Sequence, residues 1–167
     1  MSNPGTAVPR AEELFLEQLE GRADMADVRL LDRDPATGRE LATESGVLDT
    51  LWISDVDADL VDHGGHAGTV PYDETATFTI VIQVIRRRGP EHPMVQVKRR
   101  AADILDAVIA AVALVPHLAN ADVDKHARFE FLLDGYKRSS GILPGGTHVG
   151  CRYTIRAELR ARITPTS

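Results

Sequence analysis

Four histidines of this chain are the best candidates for metal ligands by residue type and spacing. His63 and His66 flank two glycines with carboxylates nearby, and His92 and His148 are further candidate ligands. Helical zinc signatures place two histidines on one helix face with a glutamate between them, and two adjacent glycines set no such geometry in advance. We therefore expect no native metal and no cofactor, and a small metal-dependent hydrolase is a less favoured alternative function.

No catalytic motif for acyl or phosphoryl transfer is recognisable. The chain lacks a G-x-S-x-G elbow, and Ser139 and Ser140 are expected in a loop without triad partners. The stretch GILPGG (141–146) lacks the G-K-[ST] ending of a phosphate-binding loop. Cys151 is the single cysteine, and its place in an alternating strand predicts a buried thiol. We therefore expect a protein that is not an enzyme.

Three groups of basic residues could contact nucleic acid: 86–88, 98–100 and the arginines of the last predicted strand. Aromatic residues make up only 5% of the chain, and none is interleaved with these arginines as a base-stacking surface would require. The alternative is that they are solvated strand ends, a helix surface and a subunit interface. We expect at most non-specific contact with passing DNA.

The spacing of apolar residues predicts two helices and five strands. The helices cover 9–21 and 94–115, the second starting at Pro93 and ended by Pro116. The strands are expected over 26–31, 47–56, 75–88, 126–136 and 147–163. The order α-β-β-β-α-β-β indicates an α+β fold, in which a mostly antiparallel sheet of about five strands carries two helices on one face.

A single domain over residues 10–163 is expected, between flexible ends at 1–9 and 164–167. Residues 57–74 break all periodicity and predict a long acidic loop, which either orders on assembly or is a plain connector. No apolar run approaches the roughly 18 residues of a membrane helix, and the first residues do not look like a signal peptide. We expect the chain to stay in the cytoplasm until it is assembled, without contact to a membrane.

The two parts of the chain carry opposite charge. Residues 1–74 hold 17 acidic and 5 basic residues, whereas residues 75–167 hold 8 acidic and 14 basic residues. Either the two parts face each other within one fold, or an acidic surface of one copy meets a basic surface of the next. The second arrangement is heterologous and can close a ring.

Three stretches together resemble a known family: LWISDVDADL (51–60), ETATFTIVIQVIRRRG (74–89) with the helix VQVKRRAADILDAVIAAVALVPHL (95–118), and FEFLLDGYKRSSGILPGGTHVGCRYTIRAELRARI (129–163). This pattern is similar to the tail terminator proteins of long-tailed, siphovirus-type phages of actinobacteria. The resemblance covers roughly residues 10–163 and includes no catalytic motif.

The resemblance implies a structural virion protein. Proteins of this family form a hexameric ring on the last ring of the tail tube, stop its polymerisation and offer a docking surface to the neck. The implied partners are other copies of the chain, the tail tube protein and the head–neck connector proteins. The implied location is the head-proximal end of the tail, after a stay in the host cytoplasm. The alternative of the same kind is a head-closure or tail-completion protein of the neck.

From the charges we expect six residues on an oligomer interface or a lumen. Four arginines on one strand face repel one another unless acids from the 57–74 loop or from another copy screen them. The residues are Asp57, Asp59, Asp62, Arg152, Arg156 and Arg160. A third class of protein, a ligand-binding module, would instead show an enclosed apolar pocket and a stable monomer.

Overall fold

A five-stranded sheet forms the centre of the computed structural model, which describes residues 5–31, 47–62, 71–121 and 126–164. Its order is β1-β2-β3-β5-β4. β1 runs parallel to β2, and every other neighbouring pair is antiparallel. The strands are β1 Arg29–Leu31, β2 Val47–Asp62, β3 Tyr72–Arg87, β4 His126–Ile142 and β5 His148–Ile163.

Two helices pack on one face of this sheet, α1 over Val8–Glu20 and α2 over Pro93–Ala119, and a short 3-10 helix covers Ala23–Met25. Both helices present one apolar stripe to the sheet because their apolar residues recur at helical spacing. The ring of Phe131 on β4 contacts both Phe15 of α1 and Phe78 of β3. The predicted α+β class and the order α-β-β-β-α-β-β are confirmed.

The predicted loop over 57–74 is wrong at both of its ends. Residues 57–62 complete β2 and residues 72–74 begin β3, and the two segments pair with each other. The strand over residues 57–62 could not be predicted from the sequence, because these residues are exposed on both faces and show no alternation of apolar and polar side chains. His63 and His66 lie outside the described residues.

Three further boundaries differ from expectation. Pro116 lies inside α2, which continues to Ala119. The proline has no N–H to donate, but its carbonyl still accepts from the Asn120 N–H at 3.1 Å. Ser139 and Ser140 belong to β4, not to a loop, because this strand keeps its ladder with β5 up to Ile142. The first strand is short and covers only Arg29–Leu31.

The N-terminal tail is shorter than predicted because a buried carboxylate holds the start of α1. Glu74 of β3 is 1% exposed, and it accepts a hydrogen bond from the Ala7 N–H at 2.6 Å and another from the Thr6 hydroxyl. A negative charge at this place also suits the positive end of the helix dipole. Residues 1–4 and 165–167 lie outside the described part of the chain.

Asp49 ties three elements together from a buried position on β2. Its carboxylate accepts from Arg86 of β3 at 2.6 Å and from Arg100 of α2 at 2.9 Å. These arginines belong to two of the basic groups in the sequence, so part of that charge holds the helix to the sheet.

By length and mean hydropathy, 1.8 over its most apolar window, α2 is long and apolar enough to span a membrane, contrary to the expectation from the sequence. Ten of its residues are buried, including Val97, Ile104, Val108 and Val112. They belong to the same core as the inner face of the sheet. The same composition therefore serves a core helix here.

Candidate assembly surface

The sheet face opposite the helices, which we call the open face, carries no described helix. A bulge in β2 decides which residues reach it. Ile53 pairs with Ile80 and Asp55 pairs with Thr79, so Ser54 is an extra residue and the alternation shifts by one. Without that shift the following aspartates would point towards the helix side, because side chains alternate strictly along a strand.

Charge changes sign across the open face. Asp55, Asp57 and Asp59 line the end of β2, and Thr75, Thr77 and Thr79 stand beside them on β3. The β5 strand follows with Arg152, Arg156, Glu158, Arg160 and Arg162. The end of β2 is therefore acidic, Asp73 of β3 is paired with Arg162, and β5 is mainly basic.

Within the described residues, Asp55, Asp57 and Asp59 are exposed and form no ion pair. Asp62, which the sequence grouped with them, ends β2 opposite Tyr72 and so lies on the other face of the sheet. Of the three acids predicted for the assembly surface, Asp57 and Asp59 therefore lie together on the open face, and Asp55 lies beside them.

The arginines of β5 find partners within their own chain. The Arg160 guanidinium bonds to Glu158 and that of Arg162 bonds to Asp73, and these hydrogen bonds raise the pKa of both arginines. Arg152 donates to Gln83 Oε1 at 2.7 Å and lies 5.7 Å from the ring centroid of Trp52. The sequence predicted that acids of the 57–74 loop or of another copy screen these arginines. Part of the screening instead comes from Glu158 and Asp73 of the same chain.

Arg156 reaches the edge of the sheet. Its guanidinium lies 3.7 Å from Asp134 Oδ2 on β4. It also passes over Gly135, since a Cβ built there would stand 4.0 Å from Arg156 Nη2. Gly135 has φ +147 at a β4 bulge and contributes no side chain that would separate Arg156 from the edge. Sequence spacing could not show this reach.

Both edges of the sheet are open over long stretches. β1 pairs only with residues 50–52 of β2, so residues 55–61 have no strand on their outer side among the described residues. β4 is the opposite edge strand, and in the same part of the chain residues 130–142 also lack an outer strand. Five exposed apolar side chains lie on these edges: Leu60, Val61, Leu132, Tyr136 and Ile142.

Other candidate sites carry less chemistry. A cleft of about 500 Å³ beside Asp49 is lined mainly by charged residues, among them Asp24, Asp27 and Arg29, and so differs from the enclosed apolar pocket of a ligand-binding module. No cluster of three metal-ligating side chains occurs in the described ranges. Cys151 is buried as predicted, and burial raises the pKa of its thiol.

Comparisons with known proteins add a structural likeness. Neither a protein-family model nor a curated protein matches the chain. Among solved structures it is similar to a chain of the "Virion of native gene transfer agent (GTA) particle", at 18% identity and a TM-score of 0.38. The likeness covers 96% of this chain and 99% of that one. The function of this chain therefore has to follow from its own surfaces.

Proposed function

We propose that this chain is a structural virion protein, a tail terminator whose copies form a ring on the end of the tail tube. The ring stops tube polymerisation and offers a docking surface to the neck. It acts through shape and needs no bond-breaking residue or cofactor. The carrying observation is the change of charge across the open face, from three aspartates on β2 to the arginines of β5.

A surface with unlike sides supports ring formation for a physical reason. Two acidic sides repel each other, so a two-fold dimer through β2 is disfavoured, while an acidic side meets a basic side favourably. Such head-to-tail contacts use a different patch on each partner and close into rings when the rotation fits. The resemblance of the sequence to tail terminators agrees with this arrangement.

The test is electron microscopy of the purified full chain, alone and mixed with tail tubes that lack their terminator. We expect rings, caps on tube ends and an end to tube growth. Binding to portal-bearing heads but not to tube ends would favour a head-closure or tail-completion protein. A chain that stays monomeric even with tubes and heads would overturn the proposal.

The arginine face permits a second check. We expect Arg156→Glu with Arg160→Glu to reduce ring formation, because the basic side would then repel the acidic side of the next copy. Mass photometry measures the loss of the ring species. Ring formation like that of the wild type would show that these arginines do not contribute to the interface between copies.

A further inference from the structure

We propose that neighbouring copies join by strand pairing, with β2 of one copy adding to β4 of the next and continuing the sheet around the ring. This inference rests on the proposed function and specifies how its ring is held together. The occupant of both free edges is a second copy of this chain.

Strand directions permit this junction. β2 and β3 are antiparallel, as are β3 and β5, and β5 and β4, so β2 and β4 of one copy point in opposite directions. When a second copy stands beside the first in the same orientation, its β2 meets the first copy's β4 antiparallel. The junction thus repeats the pairing found within the sheet, and its unpaired N–H and C=O groups gain partners.

The end of β1 sets how far the strands overlap. β1 occupies the outer side of residues 50–52, so a neighbouring strand can pair with β2 only beyond them. β4 ends at Ile142. If that end stops beside Ile53 of the next copy, just beyond β1, and the bulge residues Ser54 and Asp134 stay unpaired, Asp59 stands beside Lys137, Leu60 beside Tyr136 and Val61 beside Gly135. The free stretch, 55–61, is about 23 Å long at 3.3 Å per residue.

This register matches the charges on the open face. Asp59 meets the ammonium of Lys137, and the Arg156 guanidinium over Gly135 lies one row further along the same face. Opposite charges directly across a strand pair stabilise it, and like charges destabilise it. Pairing of β2 with β2 would instead bring aspartates together, so the charges favour the heterologous contact.

The same register covers an exposed apolar side chain of each edge. On the helix side Leu60 packs against Tyr136, and these residues are 61% and 60% exposed in the single chain. On the open face Val61 comes beside Gly135. Long exposed edges with apolar side chains are a liability for a monomer, and this contact reduces it.

The register also has a consequence for the shape of the ring. Relative to a straight continuation of the sheet, the neighbour is displaced by three open-face rows, about 20 Å at 3.3 Å per residue. A sheet that closes on itself requires such a stagger together with tilted strands. The helices then lie outside the closed sheet, and the open face with Arg156 and Arg160 lines the lumen.

A complementation experiment tests the junction. Asp57→Lys with Asp59→Lys reverses the acidic edge, and Lys137→Glu with Arg156→Glu reverses the basic edge. Each variant alone should lose assembly in mass photometry, with an apparent dissociation constant raised on the order of 100-fold. An equimolar mixture should recover it, because reversed edges then meet each other and unreversed edges meet each other.

The matched control is Asp103→Lys with Asp106→Lys, which makes the same charge change on exposed positions of α2. We expect this variant to assemble like the wild type. Circular dichroism melts of all variants verify that they fold. Normal rings from either edge variant alone, or no recovery on mixing, would overturn the strand junction and leave the ring function intact.

Disulfide trapping reads the register directly. A Leu60→Cys copy mixed with a Tyr136→Cys copy should give a covalent dimer on oxidation, whereas each copy alone should not. Leu60→Cys with Ser140→Cys is the off-register control, since Ser140 lies about 13 Å along the strand from Tyr136 at 3.3 Å per residue. Equal trapping with Ser140→Cys overturns the register. The absence of any oligomer, with or without tube ends, overturns both the function and the junction.

Discussion

Glu74 is a residue whose role depends on the tertiary structure. Its carboxylate is buried at the end of β3 and accepts hydrogen bonds from Thr6 and Ala7, which precede α1. A hydrogen bond to a charged group contributes about 1.5–3 kcal/mol, more than a neutral one does. This side chain therefore attaches the first helix to the sheet.

We expect Glu74→Ala to lower the free energy of unfolding by about 2 kcal/mol, because the Ala7 N–H is left buried without its partner. Urea denaturation measures the change. Glu17→Ala, at an exposed position of α1, is the control and should change stability by less than about 0.5 kcal/mol. Equal stability of the two variants would mean that Glu74 does not hold the helix.

Cys151 gives a prediction about pH. Burial raises the pKa of its thiol above the ordinary 9.0, so the folded state holds the proton more tightly than the unfolded state does. Its contribution to stability is fully present below pH 9.0 and is lost as the pH rises through the raised pKa of the folded state.

We therefore expect the unfolding free energy of the wild type to fall more steeply above pH 9.0 than that of Cys151→Ala, which lacks the titrating thiol. Urea denaturation of both proteins from neutral to alkaline pH provides the comparison. Parallel curves would show that the thiol titrates alike in both states. The variant also reports the cost of the small cavity that remains.

At the scale of the elements, two bulges determine what the open face displays. The extra residue in β2 turns Asp55, Asp57 and Asp59 outward, and the bulge in β4 places Gly135 under the Arg156 guanidinium. Bulges often occur at sheet edges, where they redirect side chains. Here both lie beside the two edges that we propose to join.

Gly135 tests the β4 bulge. Its φ of +147 strains any residue with a Cβ, so Gly135→Ala should destabilise the fold by about 1–3 kcal/mol. Gly141→Ala in the same strand is the matched control, because no positive φ and no close atom is found there. That change should be neutral or slightly stabilising. Thermal melts measure both, and a tolerated Gly135→Ala would show that the bulge can relax.

At the scale of the whole molecule, the association of copies should depend on salt. The Debye length falls from about 10 Å at 0.1 M salt to about 3 Å at 1 M. The charges of the two edges are exposed, so added salt weakens their attraction, whereas the apolar contacts and strand hydrogen bonds persist. We expect the oligomer to weaken by at least about tenfold over this range without dissociating completely.

Mass photometry or analytical ultracentrifugation across this salt range gives the measurement. The Asp57→Lys with Asp59→Lys variant should show the opposite trend, because salt then screens a repulsion. An oligomer of the wild type that strengthens with salt would point to apolar contacts alone and would exclude charge as the source of selectivity.

Periodicity alone determined much of the fold. The spacing of Val97, Ile104 and Val108 predicted a helix with one buried stripe, and the alternation in β5 predicted a strand with one arginine-rich face. These predictions held because burial of apolar side chains is the largest favourable term in folding, and it leaves a repeating mark on the sequence. The opposite charge of the two parts of the chain was also evident there.

Only the tertiary structure decided where the polar groups meet. The strand over 57–62 carries no apolar alternation, and its existence depends on hydrogen bonds to β3. The burial of Glu74, the reach of Arg156 over Gly135 and the two open edges likewise depend on strand order and bulges. Backbone pairing and bulge position are contacts between residues far apart in the chain, so no local pattern of side chains encodes them.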